Sequence, residues 1–73
     1  MNARQLENVV ITSLPIRLGQ FLKLANLVQD GFEATRRIQN GEIKVNGEIE
    51  TQRGRKLRLS DEISFDGKTW RIQ

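Results

Sequence analysis

Apolar and polar positions along this chain repeat with changing periods, and each change marks an element. Residues 8–12, Asn-Val-Val-Ile-Thr, are mostly β-branched and predict a short strand. Ser13, Leu14 and Pro15 end it, since proline has no backbone donor for a central strand. Residues 1–7 show no clear period and read as a frayed start. Leu18, Phe21, Leu22 and Ala25 then recur at i, i+3, i+4 and i+7, which predicts a helix over residues 18–25 with Lys23 on its solvent side. Gly19 is a weak point there, costing about 1 kcal/mol relative to alanine.

Residues 26–29 connect to a second helix with clear punctuation. Asp30 is a good N-cap, Glu33 sits three positions later as in a capping box, and Gly41 suits a left-handed position after the last turn. Ala34 and Ile38 face the core, while Phe32 and Arg36 share nearly the opposite face and Arg37 flanks the buried side.

Two hairpins follow. Asn46-Gly47 lies between apolar runs and is a strong turn signal. A three-residue loop, Val45 to Gly47, pairs Lys44 with Glu48 and Ile43 with Ile49, separating an apolar face from an ion-paired one. That register is favoured over a two-residue loop, which mixes the faces. Asp66-Gly67 closes the last hairpin. It pairs Ile63 with Trp70 and Phe65 with Lys68 on one face, and Glu62 with Arg71 and Ser64 with Thr69 on the other. Leu57 and Leu59 are expected to anchor the loop before them to the core. No linker, repeat or low-complexity segment interrupts the chain, so residues 1–73 read as a single small domain.

Composition changes this picture at one place. The chain has 12 basic and 9 acidic side chains, a net +3. Four of the basic residues, Arg53, Arg55, Lys56 and Arg58, fall within six positions that hold no acid. The rest of the chain carries eight basic and nine acidic side chains, a balance of −1. The excess positive charge is therefore one loop, which suits a polyanion. Arg36, Arg37 and Lys23 make a second, weaker basic area that alone reads as a solvated face.

The same composition speaks against catalysis. There is no histidine and no cysteine, so the common bases, nucleophiles and zinc ligands are missing, and no metal or cofactor is expected. Asp61 and Glu62 are adjacent carboxylates whose strand positions face opposite ways. Ser60-Asp61 reads as a turn before a strand. No apolar run approaches the roughly 20 residues of a membrane span, and no leader pattern opens the chain, so a cytoplasmic protein is expected. Trp70, opposite Ile63, reads as core rather than as a stacking platform. Phe32 has two readings, as cover for the end of the first helix or as an exposed planar contact for a base, and packing is favoured.

The spacing Ala34-x-x-x-Ile38-x-x-Gly41-x-Ile43-x-Val45-Asn46-Gly47, with Arg17-Leu18 before it and Ser60-Asp61-x-Ile63 after it, resembles the αL RNA-binding motif of the ribosomal protein S-four family. The resemblance spans about residues 16–63. Residues 18–25 and 53–57 look especially like small stand-alone bacterial members. It implies an α+β fold, two helices packed on a small antiparallel sheet, with RNA gripped by the helical face and the basic loop. By position, Arg17, Lys23, Arg36, Arg37, Lys44, Arg55 and Lys56 fall on or near the family's contact surface. The chain departs from the pattern at Gly19, where many members have Asp, and at Asp30-Gly31, where many have Ser-Arg. It also departs at Phe32, where stand-alone members often have Gly, and at Thr35, where they often have Lys. These differences move weight from the second helix to the loop of residues 53–58.

The reading is a monomeric, non-catalytic protein that binds structured RNA, ribosomal or transfer RNA, without a small-molecule substrate or a membrane. A protein-interaction module on the ribosome or on an RNA-modifying enzyme is the alternative, and would show an exposed apolar patch near Phe32. A general DNA binder is disfavoured, because neither helix has the length and polar face of a recognition helix.

Overall fold

The computed structural model describes residues 6–9 and 15–73. Its elements run in the order β1 (Leu6–Val9), β2 (Ile16–Arg17), α1 (Leu18–Leu24), α2 (Gly31–Gln39), β3 (Lys44–Val45), β4 (Glu48–Ile49), β5 (Lys56–Leu57), β6 (Glu62–Phe65) and β7 (Lys68–Ile72). β4, β3, β6 and β7 form an antiparallel meander, and β1 joins the far edge parallel to β7. β2 and β5 form a separate two-stranded ladder. Leu6 and Glu7, expected to be frayed, belong to β1, while residues 10–12 of the expected strand lie outside the described residues.

The apolar stripes predict the packing correctly. Leu18, Phe21 and Leu22 of α1 and Ala34 and Ile38 of α2 are fully buried against Val45, Ile63, Trp70 and Ile72 from the inner face of the sheet. Each helix is punctuated as its sequence requires. The Asp30 carboxylate accepts from the Glu33 amide at 2.8 Å, and Glu33 reaches back to the Gln29 amide, one residue beyond the capping-box position. Gly41 has φ 77°, and its amide donates to the Ile38 carbonyl, which ends α2 in the left-handed manner expected. Asn26, at φ 60°, does the same for α1.

The last hairpin has the expected register throughout. Glu62 pairs with Arg71 in a 3.0 Å ion pair, and the Ser64 and Thr69 hydroxyls share a 3.0 Å hydrogen bond across the outer face.

The first hairpin does not. Lys44 stands opposite Ile49 and Val45 opposite Glu48, so the loop is the two residues Asn46 and Gly47. Both have positive φ, 53° and 87°, the turn whose twist matches a β-hairpin. The expectation of sorted faces assumed that both strands were covered. β4 is an edge strand with both residues exposed, so its side chains need no sorting. Only the β3 side needs an inward face, and Ile43 and Val45 supply it, with Val45 beside buried Ile63. Asn46 fixes the turn: its amide donates to the Glu62 carbonyl at 2.7 Å, and its side chain bridges Asp61 and the Glu62 amide. A β-carbon at Gly47 would meet nothing within 4 Å, so a substitution there acts through backbone strain alone. Gly47→Val is expected to destabilise the domain by more than about 1 kcal/mol in chemical denaturation. A change within error would contradict the left-handed turn.

Leu57 anchors the basic loop as expected, at 2% exposure, but Leu59 does not, at 61%. The reason is the turn that follows. The Asp61 carboxylate accepts from the Arg58 amide and Ser60 adopts φ 74°, which places Leu59 at the tip of a tight turn pointing away from the core.

Candidate functional site

The loop of residues 53–58 is seated on the first turn of α1. The Leu18 amide donates to the Arg55 carbonyl at 2.8 Å and the Gly19 amide to the Arg53 carbonyl at 3.1 Å. These helix-start donors have no partner within their own helix, so the loop satisfies them while the helix orders the loop. The Arg17 guanidinium donates to the Gly54 carbonyl at 2.6 Å, and β2 pairs with β5 directly behind it. Arg55 closes the other side with a 2.8 Å ion pair to Glu50. The cations are thus presented by a backbone held from four directions.

Gly19, a weak point by helix propensity, has a use in this arrangement. A β-carbon there would lie 2.7 Å from Cγ and 2.9 Å from Nε of Arg53. One at Gly31 would lie 3.1 Å from a terminal nitrogen of the same guanidinium. The two glycines leave a saddle across which Arg53 runs from the start of α1 to the start of α2. Arg17, Gly19, Gln20, Arg53 and Gly54 line a cleft of about 390 Å³ there. Sequence reasoning missed Gln20, whose side chain accepts from the Arg17 amide at 2.9 Å. Its position three residues after Arg17 is the signal that was available.

The nine basic residues singled out in the sequence do not form one surface. Arg17 and Lys56 are exposed and directly opposite in the β2–β5 ladder. Arg53 and Arg58 flank them, and both are exposed. Lys23 and Arg36 are exposed along a groove between the helices. Among the described residues none of these six makes an ion pair. Lys44 lies elsewhere, on the outer sheet face with Ser64. Arg37 is held by carboxylates, 3.2 Å from Glu33 and 3.0 Å from Glu42, with its guanidinium 5.9 Å from the centroid of the Phe65 ring. Its hydrogen bond to Glu42, then that to Glu33, raises its pKa further above the usual arginine range. Arg55 is likewise engaged with Glu50.

Phe32 is 77% exposed, which corrects the expectation that it packs. Its neighbour Ala34 takes the buried position of the helix, and the 100° rotation per residue turns Phe32 outward with Arg36.

The carboxylates that hold this frame titrate in acid. The Arg55 guanidinium, with the Gln52 amide, holds Glu50 below the ordinary carboxylate value of 4.5. The Gln29 amide, with Arg37, does the same for Glu33. A depressed folded-state pKa stabilises the fold above the unfolded value, and the contribution is lost as pH falls through the folded one. Without histidine, no ordinary side chain titrates between about pH 5 and 8. Stability is expected to be level across that range and to decline only below about 4.5. Thermal melts against pH check this, and a step near neutrality would contradict it.

Among the described residues no helix is long and apolar enough to cross a membrane, and no acidic or other ligand cluster suits a metal. Comparison with known proteins identifies relatives in sequence and in structure. The chain is 44% identical over 52 residues to a probable ribosome maturation protein, RlbA, of Bacillus subtilis, covering 71% of this chain and 73% of that one. It is 33% identical over 61 residues to a tyrosine–tRNA ligase of Burkholderia lata, covering 84% of this chain but only 15% of the ligase. Of solved structures, YbcJ of E. coli, described as having an αL motif involved in RNA binding, superposes with a TM-score of 0.67 at 27% identity, covering 89% of this chain and 84% of that one. The ribosomal protein S4e of Thermoplasma acidophilum superposes with a TM-score of 0.57 at 28% identity, covering 74% of this chain and 27% of that one. A family model described as an S4 domain matches residues 9–73, so the resemblance read from the sequence is borne out and this chain belongs to the S4 domain family.

Proposed function

We propose that this domain is a non-catalytic RNA-binding protein of the cytoplasm, acting as a monomer on structured RNA through phosphate contacts at its basic loop. The single observation that carries this is the pairing of Arg17 with Lys56. Two exposed cations face each other in an antiparallel ladder, with neither in an ion pair among the described residues. Like charges in that position destabilise a bare sheet, and a polyanion removes the penalty. Arg53, laid across two glycines, and Arg58 extend the positive strip. Helical RNA hides its major groove from side chains, so such a strip suits recognition of backbone shape more than of base sequence.

Ribosomal RNA is the favoured target, because the Bacillus relative is named for ribosome maturation and a ribosomal protein shares the fold. Transfer RNA is second, on the weaker ground of the ligase relative. The absence of histidine and cysteine supports a binding role over an enzymatic one. The protein-interaction reading has one observation in its favour, the exposed ring of Phe32.

The test is binding to a synthetic RNA three-way junction and to a DNA duplex of equal length, across a range of salt. RNA is expected to bind more tightly, with log K falling linearly in log salt by about 0.7–0.9 per phosphate contacted. Equal affinity for both would make the loop a general polyanion site, and no binding at low salt would refute the proposal.

A further inference from the structure

Phe32 is a large aromatic ring displayed to water on a 73-residue domain whose other three aromatic residues are buried or half-buried. It stands on the wall of a groove of about 750 Å³ between α1 and α2, with Lys23 and Arg36 beside it. Both cations are exposed and unpaired among the described residues. The two acids of the groove are already engaged: Asp30 caps α2, and Glu33 is held by the Gln29 amide and by Arg37. The basic strip ends close by, since the Arg53 guanidinium lies against Gly31, the residue before Phe32.

We infer that this groove takes a single unpaired nucleobase of the bound RNA, stacked on the Phe32 ring, with the flanking phosphates on Lys23 and Arg36. The inference rests on the RNA-binding reading and adds to it a preference for an unstacked nucleotide beside the helix. An aromatic face with cations at its edge is what an extruded base and its phosphates require. A protein partner would need a contiguous apolar patch of several hundred Å², whereas the ring's apolar neighbours in the groove are half-buried Leu27 and buried Val28, and the rest of the lining is charged or amide side chains.

The probes are two RNA hairpins, one fully paired and one with a single unpaired 2-aminopurine. The wild-type protein is expected to bind the bulged hairpin roughly tenfold more tightly, with a change in 2-aminopurine fluorescence. Phe32→Ala should lose that preference and that signal while keeping affinity for the paired hairpin and the same salt slope. Phe32→Trp should retain both. Thermal melts of each variant should match the wild type, since the ring is exposed. If Phe32→Ala keeps the preference, or the wild type has none while still binding both hairpins, the inference is overturned and the ring is left to a protein partner. If the wild type binds neither RNA at low salt, the RNA reading itself fails and the inference falls with it.

Discussion

Trp70→Ala should cost about 3–5 kcal/mol of stability. The indole is 6% exposed, lies opposite Ile63 in the β6–β7 register, and belongs to the single core that joins sheet and helices. A domain of this size has a total stability of about 4–11 kcal/mol on per-residue averages. The variant therefore retains little margin, and the cavity cannot be filled by side chains already in contact. Chemical denaturation at 25 °C measures the loss directly. RNA affinity should fall only in proportion to the unfolded fraction, because the ring is buried under the sheet and reaches no ligand. A loss of RNA binding with the fold intact would make Trp70 a contact residue, against this account.

The opposite pattern is expected of Arg53→Gln with Lys56→Gln. Both side chains are exposed and outside any ion pair among the described residues, so stability should change by less than about 1 kcal/mol. Two lost phosphate contacts should flatten the salt dependence by about 1.4–1.8 log units. Carried from about 1 M salt, where the ionic term vanishes, to about 0.1 M, that is an affinity loss of roughly 25- to 60-fold. Arg55 is the less informative choice, although the charge pattern alone favours it equally. Its removal also releases Glu50 and unfastens one side of the loop, which mixes a structural effect with an ionic one. Isothermal titration at three salt concentrations, beside a melt, separates the two. Unchanged affinity and slope would move the site away from the loop.

Much of this was legible in the chain because the signals are local and redundant. The stripe of Leu18, Phe21 and Leu22, the cap at Asp30, the left-handed Gly41 and the Asp66-Gly67 turn each have one physical reading, and each is observed. The misreadings differ in cause, and only the first comes from exposure set by neighbours that local sequence does not name. The expected register at Asn46 rests on the faces of β4, which matter only in a covered strand, and β4 is an edge. An anchoring role for Leu59 follows from its apolar side chain, but the Ser60-Asp61 turn, itself legible in the sequence, carries the backbone outward there. Packing of Phe32 follows from its hydrophobicity, yet its place on α2, away from buried Ala34 and Ile38, faces the groove.

The charged residues show the limit of local sequence in another form. A run of basic residues gives the net charge of a surface, not which of its members are already paired. Arg37 and Arg55 look like Arg36 and Arg53 within the run, but Arg37 is held by Glu33 four residues before it and Glu42 five after it, and Arg55 by Glu50 five residues before it. Gly19 and Gly31 gave the reverse signal. Each looked like a defect or a departure from the family pattern, and together they form the saddle that carries Arg53 between the helices.

The most direct test of the central claim is ultraviolet crosslinking in cells, with sequencing of the bound RNA and mass spectrometry of the crosslinked peptides. The account predicts recovery of structured RNA, chiefly ribosomal, with adducts on peptides containing Arg53 to Arg58 and strong depletion of both in the Arg53→Gln, Lys56→Gln variant. Recovery of no RNA above background, or adducts confined to the outer sheet face around Lys44, would contradict it.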